Sequence, residues 1–233
     1  VLLGIDVGTT GTKSILLDEK GRIVCSSYKK YSLSCTENGH VEQDAEDWWK
    51  ALSYTVRDCT KDLDSRDEVK AISLSTQGGS MVPVDVDGDP LANAVTWMDT
   101  RGAEQHEALL KLNGEDFYYL RSGWRLSNSF NLIQIVWLRE NMPEVFKKAA
   151  KFLSTIDFIN KRLTGEFRVD PTSAGMTQLF NIVEGKWDER ILALAGVGRE
   201  KLPEIIDSGE VVGTLSRNAA LELGLSTSVR VVS

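Results

Sequence analysis

Three short stretches of the 233-residue chain gather residue types that chemistry uses. The first is Asp6-Val7-Gly8-Thr9-Thr10-Gly11-Thr12-Lys13. Two glycines in a tight turn let backbone approach a ligand and turn N–H groups outward as a nest for phosphate oxygens. The hydroxyls of Thr9, Thr10 and Thr12 add donors, and Asp6 at the strand end is placed to hold a magnesium ion through water. Two other phosphate motifs do not fit. A P-loop needs adjacent Gly-Lys, and here Thr12 separates Gly11 from Lys13. The dinucleotide fingerprint needs a helix after its glycines, whereas residues 12–18 read as a strand. A plain glycine hairpin with polar side chains remains the alternative.

The second stretch is Ile72 to Ser80, ending Gln77-Gly78-Gly79-Ser80, with Trp97-Met98-Asp99-Thr100-Arg101 downstream. An amide, bare backbone, a hydroxyl, the Asp99 acceptor and the forked donors of Arg101 suit a polyhydroxylated ligand. The alternative is a glycine loop beside a surface Asp–Arg pair. The third stretch is Val169-Asp170-Pro171-Thr172-Ser173. Asp170 reads either as a helix N-cap with Pro at the first helical position, or as a carboxylate that accepts a substrate hydroxyl proton.

The elements around these stretches follow from periodicity and turns. Residues 2–7, 12–18 and 22–31 read as three strands joined by short turns, which favours consecutive antiparallel hairpins. Asp44 opens a helix whose apolar positions Ala45, Trp48, Trp49, Leu52, Val56, Cys59 and Leu63 keep a helical period. Residues 69–75 alternate as the next strand, and 80–86 and 91–97 flank the turn Asp87-Gly88-Asp89-Pro90. From about 100 to 163 the pattern is helical, including a helix over Ser127–Asn141 that is apolar nearly all round and should be buried, Trp137 with it. Val229–Val232 reads as a strand entering a sheet.

Composition sets the bounds. With 42% hydrophobic residues the chain can build a core, and its low proline count excludes collagen-like and low-complexity classes. The net charge of −7 gives no overall attraction to nucleic acid or anionic lipid. No apolar run reaches the ~18 to 20 residues of a membrane span, and the first residues lack the basic region of a signal peptide. Three cysteines without CxxC spacing and only two histidines argue against a zinc site and for a reducing, cytoplasmic setting.

In their order, these segments resemble the FGGY carbohydrate kinases. Asp6 to Lys13 is similar to the family's first phosphate motif. Gly39-His40-Val41-Glu42-Gln43-Asp44 with Trp48-Trp49 is similar to its EQDP…WW segment, with Ala45 in place of Pro. Ile72–Asp85, Pro90-Leu91, Trp97 and Asp99-x-Arg101 resemble its sugar-side strand and loop. Leu163-Thr164-Gly165-Glu166, Asp170-x-Thr172-x-Ala174, Leu179-Phe180-Asn181, Trp187-Asp188, Leu202-Pro203-Glu204-Ile205 and Ser208-Gly209-x-Val211-x-Gly213 continue the likeness along essentially the whole chain.

The resemblance implies an α/β fold, a ribonuclease H-like (actin/hexokinase-type) mixed sheet flanked by helices, with a helical and β insertion forming the sugar site. It implies ATP-dependent phosphorylation of a small sugar or polyol, best a ketopentose such as xylulose, with ATP and magnesium required. Asp170 becomes the general base; Gly8, Thr9, Thr10 and Gly11 meet ATP phosphates with Asp6 near magnesium. Lys13 either neutralises phosphate charge or is a solvated strand lysine. Gln77, Gly78, Gly79, Ser80, Asp99 and Arg101 line the sugar site, where Trp97 is either a wall or packing. Gly78-Gly79 departs from the Arg-Glu of glycerol kinases and the Met-His of D-xylulose kinases. Kinases for L-xylulose, erythritol or gluconate therefore stay open, as does a non-catalytic sugar-binding relative and a homodimer. Residues 1–233 correspond to the family's N-terminal domain. The adenosine-binding domain expected after residue 233 has no counterpart here, and the isolated unit is expected to turn over little or not at all.

Overall fold

The computed structural model describes residues 1–36, 38–65 and 68–233. Leu2–Val7 (β1), Gly11–Leu17 (β2) and Ile23–Lys30 (β3) form the expected antiparallel run, with Val7 opposite Thr12 and Gly11 opposite Lys30. Ser34–Cys35 (β4) and Val41–Gln43 (β5) then lead into the helix Ala45–Thr60 (α1). Its N-cap is Asp44, whose carboxylate accepts from the Glu46 amide at 2.9 Å, an interaction that contributes about 1 kcal/mol. Trp48, Trp49, Leu52 and Val56 recur on one face and are buried against the sheet. Each such side chain contributes about 1.5–3 kcal/mol.

Ala71–Thr76 (β6) runs parallel to β1, with Asp6 beside Ser75. Met81–Val84 (β7) and Ala94–Val95 (β8) follow, shorter than the sequence suggests. Helices Ala103–Asn113 (α2), Glu115–Ser122 (α3), Asn131–Asn141 (α4) and Pro143–Lys148 (α5) make up the insertion. Lys151–Ser154 (β9) interrupts the stretch expected to be helical, because its four residues pair along β7 from Met81 to Val84. Thr155–Thr164 (α6) follows at once, closed by a Ser154–Asp157 capping box at its start and Gly165 at its end. Residues 127–130 are likewise not helical. Phe130 is extended at φ −113° and ψ 154°, and the buried Gln178 ties the loop by donating to the Arg125 carbonyl at 2.7 Å.

Arg168–Val169 (β10), Pro171–Gly175 (α7), Phe180–Asn181 (β11), Lys186–Trp187 (β12) and Glu189–Ala195 (α8) complete the middle. Glu204–Ile205 (β13), Val211–Thr214 (β14), Arg217–Leu223 (α9) and Arg230–Val232 (β15) end the chain. The main sheet has the order β14-β15-β6-β1-β2-β3, so the last strand enters between β14 and β6 as its sequence suggests. A second sheet is ordered β4-β5-β8-β7-β9. One core lies between the main sheet and α1, α6 and α9; another fills the insertion around Leu132, Ile133, Ile135, Tyr118 and Trp187. Among the described residues no helix is long and apolar enough to cross a membrane.

Candidate active site

The β1–β2 turn is built tightly. The Gly8 amide donates to the Gly11 carbonyl at 3.0 Å, so that N–H closes the turn. Three side chains hold the turn from outside. The Tyr31 hydroxyl donates to the Gly8 carbonyl, Gln43 Nε2 to the Thr9 carbonyl at 2.7 Å, and Trp97 Nε1 to Thr9 Oγ1 at 3.1 Å. Burial pushes the Tyr31 hydroxyl up to about 12, so it stays a donor at neutral pH. A Cβ at Gly11 would meet the Lys29 carbonyl and the Tyr28 hydroxyl, both at 2.6 Å, so close approach requires glycine there. Thr12 is buried and Thr10 exposed. Asp6 and Lys13 are both exposed and sit opposite each other in the β1–β2 register.

A cavity of about 470 Å³ opens where β6 and β15 end, the place where open α/β sheets bind ligands. Gln77, Gly78, Gly79, Asn131, Asp170 and Ser208 are among its walls. Gly79 has φ +71°, and a Cβ there would drive into the Ser129 carbonyl oxygen and lie 3.0 Å from Trp97 Cβ. At Gly78 the obstacle is the flexible end of Met176, 2.8 Å away. Ser80 is not among the cavity walls; it lies fully buried behind the glycines.

Asp99 and Arg101 are turned toward each other and away from this cavity. Asp99 accepts from the Val41 amide at 2.6 Å and from Arg101 Nε and Nη2 at 2.9 and 2.7 Å. Arg101 Nη2 also reaches Glu42 Oε1 at 2.8 Å, and its guanidinium lies 4.8 Å above the half-buried Trp137 ring. The Arg101 and Asp99 side chains are 4% and 1% exposed, so this is a buried clamp and not the surface pair that sequence alone allowed. Burial lowers the Arg101 pKa, but hydrogen bonds to Asp99 and Glu42 outweigh it and hold the guanidinium charged. Asp99 retains a share of the wall of a separate, more open cleft beside Trp97 and Ser129.

Asp170 is the N-cap of α7, with Pro171 at the first helical position. Its oxygens accept from Thr172 N at 3.0 Å, Ser173 N at 3.3 Å and Ser208 Oγ at 3.2 Å. Burial raises its pKa, but hydrogen bonds from Ser173 and Thr172 prevail and hold the carboxyl below its ordinary range. The fully buried Asp157 behaves oppositely. Burial pushes it up to about 7, Asp170's charge adds to the rise, and hydrogen bonds from Ser154 only partly counter it. Its Oδ1 finds no donor among the described residues, whereas Oδ2 takes Ser154 N and Oγ, and Ser154 lines the cavity.

Asp6 flanks the cavity through its neighbour Ser75. Among the described residues no group of three or more His, Cys, Asp or Glu is gathered. Asp6 would therefore hold magnesium only together with nucleotide phosphates and water, a donor set that suits this ion.

The profile of the FGGY family of carbohydrate kinases, N-terminal domain, matches residues 1–233. The chain belongs to this family. Among its relatives is a xylulose kinase of Bacillus subtilis, 29% identical over 232 residues, covering 99% of this chain and 46% of the relative. A gluconokinase of the same organism is also 29% identical, covering 96% of this chain and 44% of the relative. The structure of a ligand-bound xylulose kinase from Lactobacillus acidophilus superposes with a TM-score of 0.93 at 28% identity, over 99% of this chain and 47% of that one. The chain thus spans about half the length of the relatives it matches. The fold is that of the FGGY sugar kinases, a mixed sheet flanked by helices, as the motif order implies.

Four residues in or behind this cavity escaped sequence reasoning. Gln43 lay inside a quoted motif and Ser208 inside another, so both had a positional signal. Asn131 and Ser154 had none: Asn131 begins α4 after a loop that Gln178 ties down, and Ser154 ends β9, a strand only through its pairing with β7.

Proposed function

We propose that the chain supplies the acceptor-binding side and the first phosphate-facing hairpin of an ATP-dependent carbohydrate kinase acting on a small ketose or polyol. The observation that carries this reading is the cavity at the strand ends, walled by Gln77, the two glycines and Asp170, with the Thr9 hairpin tied to it through Gln43 and Trp97. Amide, hydroxyl and carboxylate groups around bare glycine backbone match a ligand with several hydroxyls.

In the reaction, magnesium ATP supplies the γ-phosphoryl group that the acceptor hydroxyl takes over. The chain's part is to position the acceptor and phosphates and to balance charge, which is most of what phosphoryl transfer asks of a protein. Gln77 and Asp170 orient the acceptor. The Thr9 and Thr10 hydroxyls would face the phosphates, Asp6 would hold magnesium through water, and Lys13, opposite Asp6 in the β1–β2 register, would add positive charge at that edge. Asp170 accepts from Thr172 N, Ser173 N and Ser208 Oγ and still lines the cavity, where a substrate hydroxyl can reach it. In the loose transition state of phosphoryl transfer the acceptor oxygen needs little prior deprotonation, so we assign Asp170 to orienting that hydroxyl in place of the general-base role the family resemblance suggests. The bond from the γ-phosphorus to the ADP oxygen breaks as the new one forms, and the hydroxyl proton leaves on the transferred phosphoryl group. Asp99 and Arg101 support the 97–101 loop from behind. A second ribonuclease H-like domain, following residue 233, completes the nucleotide site in this proposal.

The test is a coupled ATP-consumption assay on the uninterrupted gene product across ketopentoses, polyols and gluconate. Acceptor-dependent ADP release supports the proposal. Sugar binding by calorimetry without any ADP release would identify a sugar-binding relative instead, and neither signal would remove the sugar altogether.

A further inference from the structure

Gln43 lies behind the cavity, 2% exposed, at the end of β5. Its carboxamide has only one possible orientation. The indole N–H of buried Trp48 is purely a donor and points at Gln43 Oε1 from 3.1 Å. On the other side the Thr9 carbonyl is purely an acceptor and takes Gln43 Nε2 at 2.7 Å. The same Oε1 receives Gln77 Nε2 at 2.8 Å. Gln77 is therefore fixed in turn: its NH2 faces Gln43, and its Oε1 is left buried in the cavity wall without a donor among the described residues. A buried carbonyl oxygen without a donor is rare in folded proteins and calls for one.

We propose that Gln43 is a positioning residue with two arms. Through Gln77 it presents an oriented acceptor to one hydroxyl of the substrate; through Thr9 it ties that acceptor to the phosphate hairpin. Thr9 is also held through its hydroxyl by Trp97, whose Cβ would abut any side chain at position 79, so the hairpin and the acceptor pocket meet at this residue twice. The inference rests on the carbohydrate-kinase reading and names how that site selects its substrate. The ligand it selects carries an O–H where Gln77 needs a donor.

The experiment uses the full-length protein with Gln77→Met, Gln43→Met, Gln43→Glu and the Gln43→Met/Gln77→Met double variant. Calorimetric binding of the best acceptor and its monodeoxy analogues is read beside KM for acceptor and for ATP. In the wild type one monodeoxy analogue should bind about tenfold more weakly than its parent. In Gln77→Met the two should bind equally. Gln43→Met should weaken acceptor binding several-fold, and the double variant should be no worse than Gln77→Met alone. Gln43→Glu keeps oxygens for Trp48 and Gln77 but loses the N–H to Thr9, so it should spare acceptor binding and raise the KM for ATP. A structural role alone would move both parameters in both variants. Equal binding of every monodeoxy analogue to the wild type, additive losses in the double variant, or identical behaviour of Gln43→Met and Gln43→Glu each overturns the proposal. If Gln43→Met fails to fold, the Gln77→Met analogue comparison still decides the acceptor arm. A wild type that binds the panel but transfers no phosphate defeats the kinase reading and leaves the binding arm to be judged by calorimetry.

Discussion

Asp170→Asn separates the two jobs a carboxylate can have at the start of α7. Asn and Asp cap helices about equally well, so the amide oxygen can keep the bonds from Thr172 N or Ser173 N. Stability should change by less than about 0.5 kcal/mol, which is about 2 °C or less in Tm for a domain of this size. Asp170→Ala removes the cap and should cost about 1 kcal/mol, or about 2–4 °C. For function, a substrate hydroxyl bonded to a neutral amide in place of a carboxylate loses about 1 kcal/mol. That corresponds to about a fivefold rise in acceptor KM with kcat little changed. A general base would behave differently, since such groups contribute about 10²- to 10⁴-fold to rate. Initial rates of ADP release by the full-length enzyme, with acceptor varied, read both parameters, and scanning calorimetry reads the cap. A hundredfold or greater fall in kcat at unchanged acceptor KM and unchanged Tm would refute the reasoning and return Asp170 to proton abstraction.

Other parts of the site make equally definite demands. Arg101→Ala leaves Asp99 buried without its cation, which should cost about 3–5 kcal/mol and lower Tm by about 6 °C or more; a melt within 2 °C or so of wild type would contradict the clamp. Asp157 keeps its proton up to about pH 7 in the native state but gives it up near 4 when unfolded. The native state then binds more protons between those values, so stability should fall as pH rises through that window, by at most about 4 kcal/mol. Asp157→Asn should flatten that part of the curve in calorimetric melts, and an unchanged slope would show that the native carboxyl is ionised. Gly79→Ala places a Cβ against the Ser129 carbonyl at a left-handed backbone position whose cost is about 1–2 kcal/mol before any clash. Acceptor affinity measured by calorimetry should drop at least tenfold, and wild-type affinity would mean that the loop has room to spare.

The readable parts of this chain were those decided locally. The β1–β2–β3 meander followed from short glycine turns, and α1 from Asp44 and a clean apolar stripe. The Asp-Pro-Thr-Ser signal announced a cap, and a cap is what Asp170 forms. What remained hidden depended on partners far away in sequence. β9 is four residues long between helices, and only its pairing with β7, some 70 residues earlier, makes it a strand. Asp99 and Arg101 have the residue types of ligand contacts, but the Val41 amide and Glu42 carboxylate close around them from β5. The orientation of Gln77 needed Gln43, Trp48 and Thr9 at once, three contacts that no spacing in the chain reveals.

In the proposed kinase these residues position an acceptor hydroxyl for phosphoryl transfer. Phosphorus NMR of the full-length protein with magnesium ATP and the acceptor that drives ADP release in the coupled assay tests it directly. A phosphate monoester of that acceptor should grow in step with ADP, one for one, with little inorganic phosphate when acceptor is left out. Inorganic phosphate as the only product, with the acceptor recovered unchanged, would contradict it.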